Sequence, residues 1–366
     1  MNFQCNAKQL RDAIACTQPV TTKHTGLPIL NSILLSVTKD TGVLRATNLS
    51  FGIEYSFSAK VTSEGIVALN GALLSDILGT LNQDELIKIE QSGNTIILNT
   101  TSTKSKIKTI PHEDFPILPK ISEGKSFDVP AKEFVTMLVS VIYAASLSDI
   151  KPEISSLYMF SDNDNLVCVT TDSFRLAEKK LYVPNLPNFD GIMIPIKNIS
   201  ILIRSMSEVT ENITITISTT QITFTTNKIY CVSRLVDGQY PDYRQIIPRE
   251  STTEIIMLKQ DLANALHVLN IFSDKFNQVD VVVQHTNKTC TMTSENTEIG
   301  HTDAQITCAI TGEDIETRFN ARYIQDCLPS LSGDSISISF TTPQKPIVVK
   351  PVGSEDFVYL VMPMHR

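Results

Sequence analysis

Histidines are the side chains in this sequence best suited to binding a metal ion or moving a proton. The six of them are His24, His112, His267, His285, His301 and His365. None stands at HxH or HxxxH spacing from another, and no carboxylates cluster with them as a metal site requires. The pattern predicts isolated surface or capping roles, with no metal and no cofactor.

The run Thr171-Asp172-Ser173 is the nearest approach to a nucleophile beside a carboxylate. Neighbouring residues at the end of a strand point in different directions, and no histidine accompanies them, so the run is typical of a tight polar turn. The sequence has no GxSxG elbow, GxxxxGK[ST] phosphate loop or GxGxxG fingerprint. These absences favour a protein without a catalytic site of its own.

The chain's size and composition are those of a globular protein with several domains. Its 366 residues predict two or three domains, and 42% hydrophobic with 19% charged residues is ordinary for a folded chain. The first residues do not form a signal peptide, and no apolar run approaches the roughly 18 residues of a membrane span. Seven scattered cysteines without a CxxC pair favour reduced, buried thiols. We therefore expect a cytoplasmic protein with no membrane partner.

A pattern of secondary structure recurs three times along the chain. A short strand and a helix open each third, and the helix starts are marked by Lys8, Lys132 and Lys259. A strand ending in a polar turn follows, at Ala46-Thr47-Asn48, at Thr170-Thr171-Asp172 and, less clearly, at Thr293-Ser294-Glu295.

Each third continues with a second amphipathic helix and a β-hairpin. The helices begin near Ala72, Ile196 and Ala321, with apolar residues at i, i+3 and i+4. Two apolar helical stripes per third must cover one face of an antiparallel sheet. We therefore predict an α+β fold of three tandem domains, 1–120, 121–248 and 249–366, with Pro-bracketed links between them.

Five strings of residues stand in order from one end of the chain to the other. They are residues 27–30 (LPIL), 171–177 (TDSFRLA), 234–243 (RLVDG running to YPDY), 319–323 (FNARY) and 361–364 (VMPM). Together they closely resemble the beta sliding clamp family of bacterial DNA polymerase III.

The resemblance implies a DNA sliding clamp, a non-enzymatic processivity factor of the replicative DNA polymerase. It implies three DNA-clamp domains per chain and two chains joined head to tail as a homodimeric ring around double-stranded DNA. The strand at 104–109 of one chain is then expected to meet the region of Ile271 and Phe272 of the other. Ile107, Ile271 and Phe272 are the expected apolar anchors of this dimer interface.

The resemblance also implies an apolar cleft between the second and third domains. It accepts a linear peptide carried by the polymerase catalytic subunit, the clamp loader and repair proteins. Arg175 and the Thr171 hydroxyl are expected to satisfy polar groups of the peptide. The matching strings give its walls as Ile154, Thr171, Ser173, Phe174, Arg175, Leu176, Pro241, Ile246, Tyr323, Val348, Leu360, Val361, Met362, Pro363 and Met364.

The net charge of -8 speaks against a protein that holds DNA by bulk attraction. A closed ring is retained by topology, so only the helices facing the DNA need to be basic, and contact is expected to be sequence-independent. The expected DNA-facing residues are Lys8, Arg11, Lys23, His24, Lys132, Lys197, Arg204 and Lys259, with Lys275 and Arg322 as further candidates.

Two other classes of protein fit parts of the same sequence. A protein-interaction scaffold of tandem α+β modules fits the repeats without DNA, and it predicts neither a ring nor basic helices. A hydrolase or transferase assembled across domains predicts a deep polar pocket with shifted pKa values. Residues 360–364 could also be the last strand of a core, and the ending His365-Arg366 leaves the peptide preference open.

Overall fold

The computed structural model of the chain describes residues 1–21, 26–121, 123–148 and 150–364. The chain divides into two compact units. The first comprises Met1–Val135 and Lys197–Leu235, and the second comprises Thr136–Ile196 and Val236–Arg366.

The described residues form six α-helices, two in each third of the chain. They are α1 (Ala7–Thr17), α2 (Gly71–Gly79), α3 (Ala131–Ile142), α4 (Ile196–Met206), α5 (Lys259–Ile271) and α6 (Ala321–Cys327). Asparagine side chains cap three of them, because the Oδ1 atoms of Asn6, Asn70 and Asn320 accept the first free N–H groups of α1, α2 and α6. In α1, Leu10, Ile14 and Thr17 recur at helical spacing on the buried face.

Strands occupy most of the remaining chain. The first third holds β1 (Asn2–Asn6), β2 (Ser32–Thr38), β3 (Thr41–Thr47), β4 (Phe51–Ser58), β5 (Lys60–Ser63), β6 (Gly65–Asn70), β7 (Leu86–Ser92), β8 (Thr95–Asn99) and β9 (Lys104–Lys108). The second holds β10 (Lys125–Pro130), β11 (Ser156–Asp162), β12 (Asn165–Thr171), β13 (Arg175–Tyr182), β14 (Ile192–Pro195), β15 (Asn212–Ile217), β16 (Gln221–Thr225) and β17 (Ile229–Arg234). The last holds β18 (Thr253–Leu258), β19 (Gln278–Gln284), β20 (Thr289–Asn296), β21 (Gly300–Thr307), β22 (Ala309–Gly312), β23 (Ile315–Asn320), β24 (Ser335–Phe340), β25 (Ile347–Pro351) and β26 (Phe357–Val361).

The first unit contains a five-stranded and an eight-stranded antiparallel sheet. The smaller has the order β5-β1-β7-β8-β9, and the larger has the order β10-β15-β16-β17-β4-β3-β2-β6. In the larger sheet β17 pairs with β4, with Cys231 opposite Ile53. We call this pairing the first junction, because it joins strands of the first and second thirds of the chain.

The second unit contains a nine-stranded and a four-stranded antiparallel sheet. Their orders are β14-β11-β12-β13-β26-β25-β24-β18-β22 and β21-β20-β19-β23. Pairing of β13 with β26 places Ala177 opposite Tyr359. This is the second junction, between strands of the second and last thirds. Because a sheet continues through each junction, the two compact units do not follow the predicted borders at 120 and 248, which stay a prediction.

The predicted α+β fold of three repeats, each with two helices and antiparallel strands, is confirmed. The strand register nevertheless corrects the alignment of the third copy. Asn70, Pro195 and Asn320 end the strand before the second helix of each third and pair with Ser32, Ser156 and Gln278. Each of these three partner residues lies two positions beyond the last paired residue between its strand and the next strand of the same third. Extending that pairing places Ser32 opposite Thr47, Ser156 opposite Thr171 and Gln278 opposite Glu295. Glu295, rather than Ser294, is therefore equivalent to Thr47 and Thr171.

A similar correction applies to the helix starts. Lys8 and Lys132 are the second residues of α1 and α3, whereas Lys259 is the first residue of α5. The buried positions Leu10, Phe134 and Leu262 fix this alignment. Matching the three repeats by their lysines was misleading, because a solvated lysine can stand at a neighbouring helix position at little cost in stability. A buried apolar residue cannot be shifted in this way, because it must pack against the core.

All seven cysteines are free thiols, six of them buried and Cys16 half-buried. Burial raises the pKa of the Cys5 thiol to about 12. Burial, with the nearby charge of Asp12, raises the pKa of Cys16 to about 11. These side chains pack as small hydrophobes, in line with the predicted role. Among the described residues, no helix combines the length and the apolar character needed to cross a membrane.

Candidate functional site at the second junction

The second junction extends beyond the last strand into the C-terminal segment. Arg175 lies opposite Val361 and Leu176 opposite Leu360. After β26 ends, the N–H of Met362 still donates to the carbonyl oxygen of Phe174, at 2.8 Å. The C-terminal segment is therefore held against the turn that connects β12 to β13.

Side chains of the turn itself fix its shape. The Asp172 carboxylate accepts the N–H groups of Phe174 and Arg175 at 2.9 and 3.0 Å. The Thr171 hydroxyl accepts the N–H of Ser173 at 3.2 Å and donates to the Arg175 carbonyl at 2.7 Å. Ser173 has a φ of 79°, which costs an L-residue about 1 kcal/mol or more. This conformation leaves the Phe174 side chain 61% exposed.

Arg175 ties the turn to helix α6. Its Nε donates to Asp172 at 2.9 Å, its Nη1 donates to Asp326 at 2.5 Å, and the guanidinium lies 4.5 Å from the ring centre of Tyr323. Burial opposes the charge of Arg175, but its hydrogen bond to the Asp326 carboxylate and the charge of Asp172 outweigh burial and raise the pKa of Arg175 above the usual value. The Tyr359 hydroxyl donates to the Tyr323 carbonyl at 2.8 Å. A polar network around Arg175 therefore joins the turn to α6 on this side of the sheet.

The opposite face of the same strands is apolar. Leu176, Val348 and Leu360 pack in one buried cluster with Tyr240 and Tyr243. Successive strand residues point to opposite faces, so Arg175 and Leu176 contribute to different sides. Beside this cluster, Pro241 is exposed and Ile246 is 45% exposed. The expected cleft residues are thus divided between two faces.

The other expected wall residues are more dispersed. Ile154 is half-buried, and its carbonyl oxygen accepts the N–H of Ser146 at 3.1 Å. Val361 and Pro363 are buried, and Met362 is half-buried. Met364 lines a separate open groove of about 460 Å³ with Arg318 and Gln344. The structure therefore brings the turn, Tyr323 and Met362 together, while Met364 belongs to a neighbouring depression.

The expected hydrogen-bonding roles of Thr171 and Arg175 towards a peptide stay a prediction. Within the chain, the Thr171 hydroxyl and the Nε and Nη1 of Arg175 donate to groups that hold the turn, and the guanidinium has further N–H donors. Sequence reasoning missed Asp172, Asp326 and Tyr243 as parts of the site. The YPDY string pointed to Tyr243, but nothing in the sequence indicated that Asp326 lies beside Arg175.

The expected DNA-facing residues fall into three groups. Lys8, Lys132, Lys197 and Arg204 are exposed on their helices, as are Lys275 after α5 and Arg322 on α6. Arg11 instead donates to the carbonyl oxygens of Leu78 and Leu81, and Lys259 donates to that of Leu331 at 2.8 Å. These two side chains satisfy carbonyl groups at neighbouring helix ends, as basic residues often do. Lys23 and His24 lie outside the described residues.

The exposed charge on the six helices is almost balanced. The exposed basic residues there are Lys8, Lys132, Lys197, Arg204 and Arg322. The exposed acidic ones are Asp12, Asp76, Glu133 and Asp261. The exposed side chains of the helices therefore carry only a small excess of positive charge, and the assignment of individual basic residues to DNA contact stays a prediction.

The expected dimer anchors also differ in exposure. Ile271 is 62% exposed at the end of α5, and Phe272 is half-buried near Gly300. Ile107 is only 1% exposed, because it points into the core beneath β9. No cluster of histidine, cysteine and carboxylate groups fit to hold a metal occurs among the described residues.

Three copies of one helix-and-sheet repeat, joined by strand pairing at successive junctions, define the DNA-clamp class of fold. Family models of the DNA polymerase III beta subunit match its N-terminal domain at residues 1–119, its central domain at 128–242 and its C-terminal domain at 244–365. The chain therefore belongs to the DNA polymerase III beta subunit family. Its function is that of a sliding clamp, a processivity factor without a catalytic site.

Individual relatives are distant but cover the whole chain. The beta sliding clamp of Synechococcus elongatus is 26% identical over 371 residues, covering 100% of this chain and 99% of that protein. The crystal structure of the Thermotoga maritima beta subunit matches with a TM-score of 0.94 at 21% identity, covering 100% and 99% of the two chains. A Pseudomonas aeruginosa sliding clamp bound to griselimycin matches with a TM-score of 0.94 at 22% identity, covering 100% of both chains.

Proposed function

We propose that two copies of this chain close head to tail into a cytoplasmic ring that encircles double-stranded DNA without reading its sequence. The ring tethers the polymerase catalytic subunit, the clamp loader and other proteins through peptides bound at the second junction. The observation that carries the ring is the repetition of the junction itself. Each chain makes the same strand pairing twice and has the two halves of a third pairing left over.

The two leftover halves are the edge strands β9 and β21. The three repeats can be aligned by following the strand pairs of each third from its first strand to its last. In this alignment Ser105 of β9 is equivalent to Cys231 of β17 and to Tyr359 of β26. His301 of β21 occupies the position of Gly52 in β4 and of Leu176 in β13. We therefore expect β9 of one chain to pair with β21 of the other, as β17 pairs with β4 and β26 with β13.

The internal junctions also supply a register for this pairing. Cys231 lies opposite Ile53 at the first junction, and Tyr359 lies opposite Ala177 at the second. When either residue pair is replaced by its equivalents in β9 and β21, the same pairing results. Ser105 of one chain then lies opposite Thr302 of the other. Two independent junctions therefore support one antiparallel register.

Charge and exposure favour the same register. It places Lys104 opposite Asp303 and Lys106 opposite His301, all four on exposed faces of their strands. Opposite charges facing each other across an antiparallel pair are stabilising. Leu73, 45% exposed on α2, occupies the position that Tyr323 has at the second junction, so it is an additional apolar contact beside Ile271 and Phe272.

The ring is tested by a disulfide across the proposed pair. Ser105→Cys combined with Thr302→Cys should give a covalent dimer on mild oxidation, because directly opposite strand residues bring their Cβ atoms within disulfide range. Cross-linking both contacts between the two chains should also trap the ring on nicked circular DNA after loading, with release only when the DNA is linearised. Denaturing electrophoresis and retention on the two DNA forms measure both effects.

Each single cysteine variant serves as the control, since neither can link β9 to β21. A monomer in light scattering, with no cross-link and no retention on circular DNA, would overturn the ring and favour an interaction scaffold.

For the peptide site, exposed apolar side chains beside the buried cluster of Leu176, Val348 and Leu360 support the proposal. Phe174 and Ile246 are both exposed, although neither is needed to complete the core. Aromatic and aliphatic side chains on a preformed rim are what a short apolar peptide recognises. The buried residues below them then act as the floor.

Griselimycin, which a Pseudomonas aeruginosa clamp binds, is a suitable probe of this site. Ile246→Glu should weaken griselimycin binding at least tenfold, because it places a carboxylate on an apolar rim. Ile66→Glu is the matched control, since Ile66 on β6 has a similar exposure of 43%. Calorimetry of both variants measures the effect. Equal affinity for Ile246→Glu and Ile66→Glu would move the binding site away from this junction.

A further inference from the structure

An aromatic groove lies beside the second junction and adjoins the peptide site, because Pro241 is one of its lining residues. It has a volume of about 680 Å³ and runs between the 188–191 loop, β11 and the 238–244 link. Phe160 on its wall belongs to β11, two strands away from Leu176 on β13. Phe160, Tyr240 and Tyr243 nevertheless pack in the same buried cluster as Leu176, Val348 and Leu360, so the groove borders the apolar floor of the peptide site.

The walls of this groove consist of aromatic rings. Tyr158 stacks on Tyr240 with ring centres 4.5 Å apart and planes 4° from parallel, and it also contacts Phe160 at 5.3 Å. Gly191 makes this arrangement possible, because a Cβ atom there would lie 2.0 Å from the Tyr158 hydroxyl. The Tyr240 hydroxyl is buried and has no hydrogen-bond partner among the described residues.

Carboxylates outnumber cations along the rim. Asp162, Asp190 and Asp242 line the groove, and Arg244 is the one basic residue among its lining residues. The Asp242 carboxylate accepts a hydrogen bond from the Gln245 amide at 2.7 Å, and Asp162 accepts one from the Asn163 amide at 3.3 Å, while Asp190 is exposed. The groove is therefore complementary to a positively charged ligand.

Arg244 shows which cation the groove accommodates. Its guanidinium lies 5.2 Å from the ring centre of Phe160, and the charges of Asp162 and Glu178 act on it. A planar cation over an aromatic ring beside a carboxylate is the arrangement in which arginine binds most favourably. Arg244 of the chain itself therefore occupies part of a surface that suits a guanidinium group.

We propose that the groove between Phe160 and Asp190 binds arginine side chains of a partner protein's polypeptide. The partner's guanidinium stacks on the aromatic wall and pairs with Asp162 and Asp190, and it competes with Arg244 for the same rings. Asp162 and Asp190 lie outside the apolar peptide site, so this contact adds to the affinity of partners whose peptides carry nearby arginines.

Calorimetric titration of the full chain with acetylated, amidated tetra-arginine tests the proposal. The double variant Asp162→Asn, Asp190→Asn should lose at least fivefold in affinity for tetra-arginine. Asp84→Asn with Asp114→Asn makes the same change in net charge at exposed positions of the other unit and should bind like the parent protein. Arg244→Ala should bind tetra-arginine about threefold or more tightly, because it vacates the rings and removes a like charge.

Spermidine separates arginine recognition from simple cation attraction, since it carries charge without a planar group. Spermidine binding as strong as that of tetra-arginine, or a loss of affinity in Arg244→Ala, would overturn the proposal. So would equal affinity in the groove variant and its charge-matched control. Each result can be read without griselimycin or DNA, so the groove and the clamp function fail separately.

Discussion

Replacing Arg175 by methionine should destabilise the second unit by about 2 to 3 kcal/mol. Removing one partner of a buried ion pair costs about 3 to 5 kcal/mol, and this figure is reduced here because the side chains of Arg175, Asp172 and Asp326 are 13%, 16% and 32% exposed. The variant leaves two carboxylates without their common cation. The expected fall in melting temperature is roughly 5 to 10 °C.

Differential scanning calorimetry and hydrogen exchange of the β13 and β26 amides measure this effect. Arg45→Met is the matched control, because Arg45 pairs with Glu54 at 2.7 Å but is 37% exposed, so a loss below about 1 kcal/mol is expected. Adding Asp326→Asn to Arg175→Met should recover part of the stability, since one uncompensated charge disappears. Equal losses in the Arg175 and Arg45 variants would show that the network contributes little to the junction.

A charge reversal at Lys104 should weaken the ring about thirtyfold. Lys104→Asp places two carboxylates opposite each other at both chain contacts, at a cost of about 1 kcal/mol each and 2 kcal/mol per ring. Asp303→Lys should weaken it for the same reason, and somewhat more, because the Thr293 hydroxyl donates to Asp303 at 2.6 Å. The double variant restores an attractive pair and should assemble almost as well as the parent.

Sedimentation equilibrium and subunit exchange between two dye-labelled populations give the dissociation constants. Lys60→Asp makes the same charge change on β5, at the opposite edge of the same sheet, and should leave assembly unchanged. Raising the salt concentration should narrow the difference between Lys104→Asp and the parent, because these charges are exposed. A double variant as weak as the two single variants together would contradict the register.

The sequence predicted the repeated elements well because they depend on local patterns. Helical spacing in ALLSDILG and alternation in NITITI are set by residues a few positions apart, and both segments form as expected. The spacing of Lys8 and Lys132 by a whole repeat was equally informative. The shift of Lys259 by one residue passed unnoticed because the buried positions Leu10, Phe134 and Leu262, which fix the alignment, are known only from the fold.

The candidate site was harder to predict because its contacts join distant parts of the chain. Arg175 and Asp326 are 151 positions apart, and no local pattern links them. Arg11 and Lys259 are basic residues of the kind expected on a DNA-facing surface. Their side chains instead donate to backbone carbonyl oxygens near the ends of neighbouring helices. Residue type identified charged positions correctly, whereas the direction of each side chain required the fold.

The first junction has a groove of its own, but the chain fills it. Gly52 occupies the position that Leu176 has at the second junction, and a Cβ atom there would lie 2.4 Å from a methyl group of Leu118. The link segment around Leu118 therefore covers the place where a visiting peptide would sit. In the proposed ring of two chains this leaves two peptide sites and not four, so no more than two client proteins could hold one clamp at the same time.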